Sequence, residues 1–363
     1  MKKLIILILL VSLEVQAKLD FEDHAFPEFV TSARALAMGN AFICKVDDSM
    51  SAFYNPAGLG TVRRPSFHLF NANLEGSNGL FKTVGGGPAY QFPSNYSKTF
   101  DVNTLRESLA QNQGVLLHSR GSAFPNFTVR GLTLGYMFSQ RNRAIINDDV
   151  ANEFEVAERL DHGPVMALNG SFFGGILKLG ASATYLHRKE LYKVAGPSDQ
   201  LNLVDSDFKQ GRSLQVTAGT RITLPFDLLP TISAVLRNAT NNNFEAPDLG
   251  GLPDRVKQTF DIGFSITPQI SKVSRLHTEI NLKDVGNSYD TDTKRRIAAG
   301  VEYDLKRRLF LRAGYGDGWG SAGLGVKART FSLDLTTYAV DRSLDGFRKE
   351  EDRRWVLSFS SGL

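Results

Sequence analysis

The feature that most constrains this chain is an alternation of apolar and polar residues with a period of two. It recurs in segments of eight to twelve residues from about Phe67 to the end of the chain. In residues 259–267, for example, the apolar members are Phe260, Ile262, Phe264 and Ile266, and the residues between them are polar or glycine. Successive side chains of a β-strand point to opposite faces, so the pattern predicts strands with one apolar and one polar face.

The alternation predicts fourteen strands. They lie near residues 65–72, 123–130, 131–139, 163–173, 175–186, 212–224, 231–238, 257–267, 274–283, 294–303, 307–315, 319–328, 329–340 and 352–361. Long connections alternate with short ones; the long ones are 73–122, 140–162, 187–211, 239–256, 284–293 and 341–351. An even number of strands joined in this way is typical of an antiparallel transmembrane β-barrel of the bacterial outer membrane, occupying residues 65–363.

A sheet in hydrocarbon must close on itself, because edge N–H and C=O groups would otherwise stay unpaired. The polar face would then line the lumen, with the charged residues Arg221, Asp261, Arg275, Glu279, Lys283, Arg296, Glu302, Arg308, Arg312, Lys327 and Asp334. The apolar face would contact the outer-membrane lipids. Its aromatic residues Tyr136, Phe138, Tyr185, Tyr303, Tyr315 and Trp355 are expected at the two membrane interfaces.

A soluble secreted β-sandwich that binds a ligand is the alternative fold, because its strands also alternate when one face packs on a core. A sandwich does not predict long and short connections in alternation. The last strand also favours the barrel: Trp355, Leu357, Phe359 and Leu363 are in phase and resemble the C-terminal signal read by the barrel-insertion machinery.

Residues 1–17 have the features of a signal peptide. Lys2 and Lys3 precede an apolar run from Leu4 to Leu13, and Ala17 ends a site with small residues at the cleavage positions. The apolar run is shorter than the roughly 20 residues of a membrane-spanning helix. The segment therefore predicts export from the cytoplasm.

Composition excludes several other classes of protein. With 22% charged residues and a mean hydropathy of −0.18, the chain is too polar for a bundle of membrane helices. A net charge of +4 gives no reason to expect nucleic acid as a partner. A single cysteine, Cys44, and six scattered histidines provide no metal site, cofactor site or catalytic arrangement, and we expect a protein that is not an enzyme.

Residues 18–64 do not alternate, and they predict two short helices. Ser32 is a suitable N-cap for a helix over residues 33–38, which Gly39 and Asn40 would end. Asp47 and Asp48 could cap a second helix over residues 49–54. Two short helices before a fourteen-stranded barrel indicate a hatch that lies inside the lumen.

The run from Ser32 to Gly60, SARALAMGNAFICKVDDSMSAFYNPAGLG, resembles the N-terminal signature of the FadL-type outer-membrane transporters and of the PorV-like proteins of type IX secretion. The matching residues are Ala33, Arg34, Ala35, Leu36, Met38, Gly39, Ala41, Phe42, Asp47, Asp48, Ser51, Ala52, Tyr54, Asn55, Pro56, Ala57, Gly58 and Leu59. The most specific part is the block from Asn55 to Leu59.

This resemblance implies a fourteen-stranded barrel closed by an N-terminal hatch. In the FadL branch it implies passage of hydrophobic small molecules such as long-chain fatty acids, and in the PorV branch a scaffold or shuttle that contacts secretion-system proteins. The hatch residues carried over are Arg34, Gly39, Asp47, Asp48, Tyr54, Asn55, Pro56, Ala57 and Gly58. We expect the lumen charges Arg296, Glu302 and Arg312 to anchor the hatch.

Overall fold

The computed structural model describes residue 19 and residues 23–83, 92–148, 152–197, 199, 201–245, 250–343 and 347–362. The predicted signal peptide, residues 1–17, lies outside the described residues, and so does Leu363.

Strands make up most of the described chain. In chain order they are β1 (Ser66–Ser77), β2 (Leu117–Ala123 continued by Asn126–Val129), β3 (Leu132–Ile146), β4 (Phe154–Phe172), β5 (Leu177–Ala195), β6 (Lys209–Thr223), β7 (Thr231–Arg237), β8 (Thr259–Ile266), β9 (Ser274–Leu282), β10 (Ile297–Leu305), β11 (Leu309–Gly316), β12 (Trp319–Lys327), β13 (Phe331–Asp341) and β14 (Glu351–Gly362). A three-residue piece, Gln269–Ser271, also pairs with β9.

Each strand pairs antiparallel with the next, and β14 pairs with β1, with Ala72 opposite Phe359. The sheet is therefore a closed barrel of fourteen strands, as predicted. β2 is interrupted at Phe124 and Pro125, where the proline cannot donate a ladder hydrogen bond. The wall stays joined there, because Phe124 N–H donates to Asn71 O and Tyr136 N–H donates to Pro125 O.

The predicted boundaries fail at one end of each of the first five strands, and by the most residues at β3, β4 and β5. The prediction gave 131–139, 163–173 and 175–186, whereas these strands have 15, 19 and 19 residues. The added residues all lie toward the long connections. Outside the hydrocarbon both faces of a strand meet water or protein, so the alternation that reveals a membrane strand disappears while the backbone pairing continues.

The outer surface of the barrel is apolar. Leu134, Phe138, Leu168, Phe264 and Leu357 are each 40 to 50% exposed, although they lie in the middle of regular strands. Trp355 and Phe359 of β14 share this face, as the C-terminal pattern predicts. A sandwich would bury such residues between two sheets, so the soluble β-sandwich alternative is wrong.

The N-terminal segment fills the lumen with three short helical pieces, α1 (Ala33–Ala37), α2 (Ser51–Tyr54) and a 3₁₀ helix (Pro56–Thr61). Ser32 is at the N-cap of α1, but its side chain makes no capping hydrogen bond. Gly39 and Asn40 end the helix with φ angles of 64° and 67°. We call the described residues 23–64 the hatch.

The remaining helices lie in the long connections: α3 (Asn78–Thr83), α4 (Phe92–Lys98), α5 (Val102–Leu109) and α6 (Thr293–Arg296). Leu80 and Leu105 pack with Leu117, Ile146 and Phe154 in an apolar cluster on the extended ends of the strands. In the part of the chain that the structure describes, no helix has the length and apolar character needed to cross a membrane.

Candidate functional site: the plugged lumen

An ion-pair cluster joins the hatch to the barrel wall. Arg34 of α1 donates to Glu302 of β10 through Nε (2.6 Å) and Nη2 (2.8 Å), and its Nη1 donates to Asp47 (2.7 Å). Glu302 also accepts from Arg312 Nε at 2.8 Å. We call Arg34, Asp47, Glu302 and Arg312 the latch, because one carboxylate joins a hatch arginine to a wall arginine.

The pKa values of Asp47, which belongs to the latch, and of its neighbour Asp48 are shifted in opposite directions. Burial tends to lower the pKa of Arg34, but Glu302 and Asp47 outweigh that effect and raise it. Burial tends to raise the pKa of Asp47, and the Arg34 and Lys45 charges reverse this so that the pKa is lowered. The pKa of Asp48 is raised by burial and by the Asp47 charge beside it, although Arg34 opposes this. Both aspartates lie within ion-pair distance of Arg34 Nη1, and Asp47 at 2.7 Å is closer than Asp48 at 3.5 Å.

The Asn55-Pro56 step fastens the end of α2 to the wall. The Asn55 amide donates to Ile43 O (2.9 Å) and to Thr220 O of β6 (3.2 Å), while its oxygen accepts from Ala57 N–H (3.0 Å). Pro56 then begins the 3₁₀ helix, where a proline loses no hydrogen bond. One asparagine thus joins two hatch segments and a strand, which explains why an amide is needed at this position.

The neighbouring hatch residues are also buried. Tyr54 accepts a hydrogen bond from Ser32 N–H at 3.1 Å and meets the Phe42 ring edge-on at 5.3 Å. Ala57 O accepts from Asn169 of β4 at 3.2 Å, and Gly58 O accepts from Thr61 Oγ1 at 2.6 Å. All the signature residues from Tyr54 to Gly58 therefore lie inside the barrel, against its wall or against each other.

Backbone packs directly on backbone where the hatch meets β10 and β11. A Cβ added to Gly314 would lie 2.1 Å from the carbonyl carbon of Met38, and one added to Gly316 would lie 2.2 Å from Gly39 O. Gly39 itself needs glycine twice over, since its φ is +64° and a Cβ there would lie 2.2 Å from Tyr315 O. We call this contact between Met38–Gly39 and the wall the seat.

Polar side chains of the wall also donate to the main-chain carbonyls of the hatch. These donors and their acceptors are Lys283 to Ala25, Arg120 to Glu28 and Phe29, Asn73 to Thr31, Thr336 to Ala33, Ser321 to Ala37, Arg221 to Val46, Ser182 to Ala52 and Arg237 to Phe53. Because a buried carbonyl needs a partner, these contacts let the hatch stay mostly irregular inside the lumen.

A small cavity lies on the other side of the hatch, against β5 to β8. Its volume is about 40 Å³, which is room for a few water molecules. The hatch contributes Phe29 and Phe53, and the long connections contribute Val256 and Tyr289. The wall side is polar and includes Ser182, Thr184, Gln215, Thr217 and Arg237. At rest the cavity therefore has mixed character and does not extend to the size of an organic ligand.

Glu28 organises the hatch beside this cavity and was missed by the sequence analysis. Its carboxylate lies 3.0 Å from Arg237 Nη2 and accepts from Asn40 at 2.9 Å, and Lys283 lies 3.6 Å away. Arg237 is the last residue of β7 and Lys283 follows the last residue of β9, where the alternation is weakest. The available signal was a carboxylate in an otherwise apolar stretch, FPEFV, with two cations in the predicted lumen strands.

The predicted anchor Arg296 lies apart from the latch. Its guanidinium donates to Asp284 O (2.8 Å) and to Thr293 Oγ1 (2.9 Å) in the loop after β9. Arg308 and Lys327 were also expected in the lumen, but they are exposed at the ends of β10–β11 and β12. For all three residues the predicted face of the strand is correct. Each residue, however, lies beyond the part of the lumen that the hatch fills.

Cys44 is fully buried in the hatch, and burial raises the pKa of its thiol. No group of three or more His, Cys, Asp or Glu side chains that could hold a metal ion occurs among the described residues.

A closed fourteen-stranded sheet with an apolar exterior and a filled polar lumen defines a plugged transmembrane β-barrel of the bacterial outer membrane. Among solved structures, the toluene transporter TbuX of Ralstonia pickettii is similar over 91% of this chain and 98% of its own, with a TM-score of 0.53 and 11% identity. The CymD monoaromatic hydrocarbon channel is similar over 91% and 97%, with a TM-score of 0.51 and 9% identity.

A Pseudomonas aeruginosa FadL homologue aligns over 92% of this chain, but its TM-score of 0.31 supports no argument. No family model and no curated protein matches the sequence. At such low identity the likeness to TbuX and CymD concerns the fold alone. It confirms the predicted fold, an antiparallel β-barrel of the outer-membrane type.

Proposed function

We propose that this barrel passes hydrophobic small molecules across the outer membrane, with the hatch as its movable gate. The observation that carries the proposal is the cavity between the hatch and β5–β8, because the hatch and the wall are not in full contact there. The fold is shared with proteins described as a toluene transporter and a monoaromatic hydrocarbon channel, which supports the same class of cargo. No catalytic step is part of this proposal.

The cavity has a lining suited to such cargo once it widens. Phe29, Phe53 and Tyr289 offer aromatic surface, while Thr184 and Thr217 offer hydroxyl groups on the wall. Pockets for small molecules combine these two features, with apolar rings for affinity and a few polar groups for orientation. At about 40 Å³ the resting cavity is too small for an aromatic molecule, so the hatch must shift for cargo to pass.

Cys44 provides a direct test of this movement, since it is the single cysteine and lies fully buried in the hatch. Purified mature protein in detergent should react slowly with a maleimide. Adding toluene or a long-chain fatty acid should accelerate the labelling severalfold, and the same compounds should enter proteoliposomes faster than they enter empty ones. Labelling and uptake that do not change with any hydrophobic compound would contradict the proposal.

A matched control separates gate movement from a change in reagent chemistry. The variant Cys44→Ser with Ser94→Cys places the thiol on an exposed position of α4. Its labelling should be fast and independent of the compounds. Deleting residues 32–60 gives a second test, because a barrel without its plug should conduct ions in a planar bilayer more than the intact barrel does.

A scaffold for secreted proteins is the second candidate function, and the extended ends of β3 to β6 favour it. The 19-residue strands β4 and β5 continue well past the roughly 9 to 11 residues that cross a bilayer, and the apolar cluster around Leu105 stiffens them. These strands extend the barrel wall beyond the membrane on one side, and this extension offers a surface that another protein could bind. Recovery of a stoichiometric protein partner in a pull-down, with no bound hydrophobic compound, would favour this function.

A further inference from the structure

The end of the barrel with short turns carries an excess of exposed cations. They are Arg63, Arg64, Arg130, Lys272, Lys306, Arg307, Arg308, Lys327 and Arg329. The segments that hold them, residues 62–65, 130–131, 267–273, 306–308 and 327–330, contain no Asp or Glu. By the rule that short turns of such barrels lie on the periplasmic side, this is the periplasmic rim.

These cations form one continuous arc around the rim. The turns after β8, β10 and β12, the segment before β1 and the turn after β2 follow each other in the strand order. Lys306 N–H even donates to Val273 O of the neighbouring turn, at 2.7 Å. The rest of the rim, the turns after β4 and β6, exposes Phe173, Phe226 and Leu228, and its charged residue is Asp227.

Arg63 of the arc lies near other cations. Burial, Arg307 and Arg275 lower the pKa of Arg63, and the carboxylates of Asp47 and Asp304 offset this only in part. Asp304 itself accepts a hydrogen bond from Arg307 N–H at 2.7 Å. None of the nine side chains forms an ion pair with a described carboxylate. Such a cluster repels itself unless a negative charge from outside the chain approaches it.

One turn keeps its cations at a conformational cost. Arg308 N–H donates to Leu305 O (3.1 Å), and both central residues, Lys306 and Arg307, have φ angles of 55°. This left-handed pair of conformations is the one for which hairpins strongly prefer Asn-Gly. Lys306 and Arg307 stabilise this turn less than Asn-Gly would. We therefore look for the role of these two cations in contacts outside the hairpin.

We propose that this arc binds the headgroups of acidic phospholipids in the inner leaflet of the outer membrane. The cations are within about three residues, or roughly 10 Å, of exposed apolar side chains such as Ile270, Val326 and Phe331. The headgroup layer begins at the edge of the hydrocarbon and is about 5 to 8 Å deep. Short turns that barely leave the membrane therefore hold their charges at the depth of lipid phosphates, whereas a protein partner would need a surface that projects further.

The test uses the mature full-length protein in vesicles and spin-labelled phosphatidylglycerol or phosphatidylcholine as probes. The fraction of immobilised label should show a preference for phosphatidylglycerol of about fivefold, the value expected for roughly one cation near an anionic surface. High salt should reduce this preference, because exposed charges are screened.

The decisive variant combines Lys306→Asn and Arg307→Gly. It removes two charges and installs the residues that the turn prefers, so the barrel should fold at least as well while its preference for phosphatidylglycerol falls by half or more. The matched control, Lys98→Gln with Lys349→Gln, removes two exposed cations at the opposite end and should keep the preference. Heat-modifiable migration on a gel checks folding in each case.

Equal immobilisation of both lipids by the intact protein would overturn the proposal, and so would a preference that the turn variant leaves unchanged. A third outcome also overturns it: no lipid preference, but binding of a poly-glutamate peptide that the turn variant abolishes. The arc would then be a docking surface for an acidic protein.

Discussion

The two sides of the hatch are held in different ways. At the seat, Met38 and Gly39 lie so close to β11 that Gly314 and Gly316 have no room for a side chain. Against β5 to β8, the backbone of Pro56 also packs on Gly180, but long side chains such as Arg237 reach across to the hatch beside a cavity of about 40 Å³. Close-packed backbone segments cannot shift by small steps without steric clashes, whereas side chains around a water-sized space can change rotamer. If the hatch is the gate proposed above, we expect it to move from the cavity side while the seat stays in place.

The largest effect should come from breaking the latch at its shared carboxylate. Glu302→Gln removes the common partner of Arg34 and Arg312, which keep Asp47 and Asp334, at a cost of about 3 kcal/mol in the free energy of unfolding. Urea unfolding followed by gel migration measures this. The control Glu351→Gln breaks an exposed pair with Arg353 and should change stability by less than about 1 kcal/mol. Equal effects of the two changes would contradict a special role for the latch.

A slightly smaller effect is expected at the seat. Gly314→Val would force the Met38 backbone away and should cost about 2 to 3 kcal/mol, with faster maleimide labelling of Cys44. Gly320→Val is the control in the next strand, because a Cβ there would meet its nearest neighbour, Gly314 O, at 4.0 Å. If Gly314→Val leaves the Cys44 labelling unchanged, the seat is not what keeps the hatch in place.

Filling the cavity should reduce transport. Thr217→Phe adds a ring to the space beside Phe53 and should reduce uptake of hydrophobic compounds severalfold, while the free energy of unfolding falls by about 1 to 2 kcal/mol because the ring is larger than the resting cavity. Uptake into proteoliposomes is the measurement. Undiminished uptake by a stably folded Thr217→Phe variant would place the path elsewhere in the lumen.

The smallest expected effect distinguishes Asp47 of the latch from its neighbour Asp48. The pKa of Asp47 is lowered in the folded protein, so its contribution to stability is present above about pH 4 and is lost as the pH falls further. The pKa of Asp48 is raised, so its contribution is present at low pH and is lost as the pH rises through the raised value. Cys44 labelling at neutral pH should therefore become faster in Asp47→Asn and unchanged or slower in Asp48→Asn. Identical responses would show that the aspartates share one role.

The sequence was sufficient to predict the fourteen strands, because lipid on one side and a polar lumen on the other impose a period of two on every membrane crossing. It also predicted the hatch, since the Asn55-Pro56 step and the Gly39-Asn40 helix end are local signals. The latch contacts could not be predicted in detail. Arg34 and Glu302 are 268 residues apart in sequence, and the contact depends on how deep α1 sits in the barrel.

Arg296 also shows that the depth of a residue in the barrel is harder to predict than the face on which it lies. Its strand phase is that of a lumen residue, yet its depth places it in a loop beside Asp284. The face on which a strand residue lies follows from the residues beside it in the sequence. Its depth in the barrel depends on how the whole hatch packs against the wall. That the C-terminal strand is read by the insertion machinery stays a prediction, as does the cleavage of residues 1–17.

The barrel recognises the hatch through its main chain more than through its side chains. Since Arg120, Arg237, Ser182 and Thr336 bind carbonyl oxygens, most exchanges of hatch side chains that preserve size leave those bonds intact. A mutational scan should then find intolerance concentrated in the donors of the wall and in a few hatch positions such as Gly39 and Asn55. Related barrels can then differ in the sequence of the hatch while the hydrogen-bond donors of the wall stay the same.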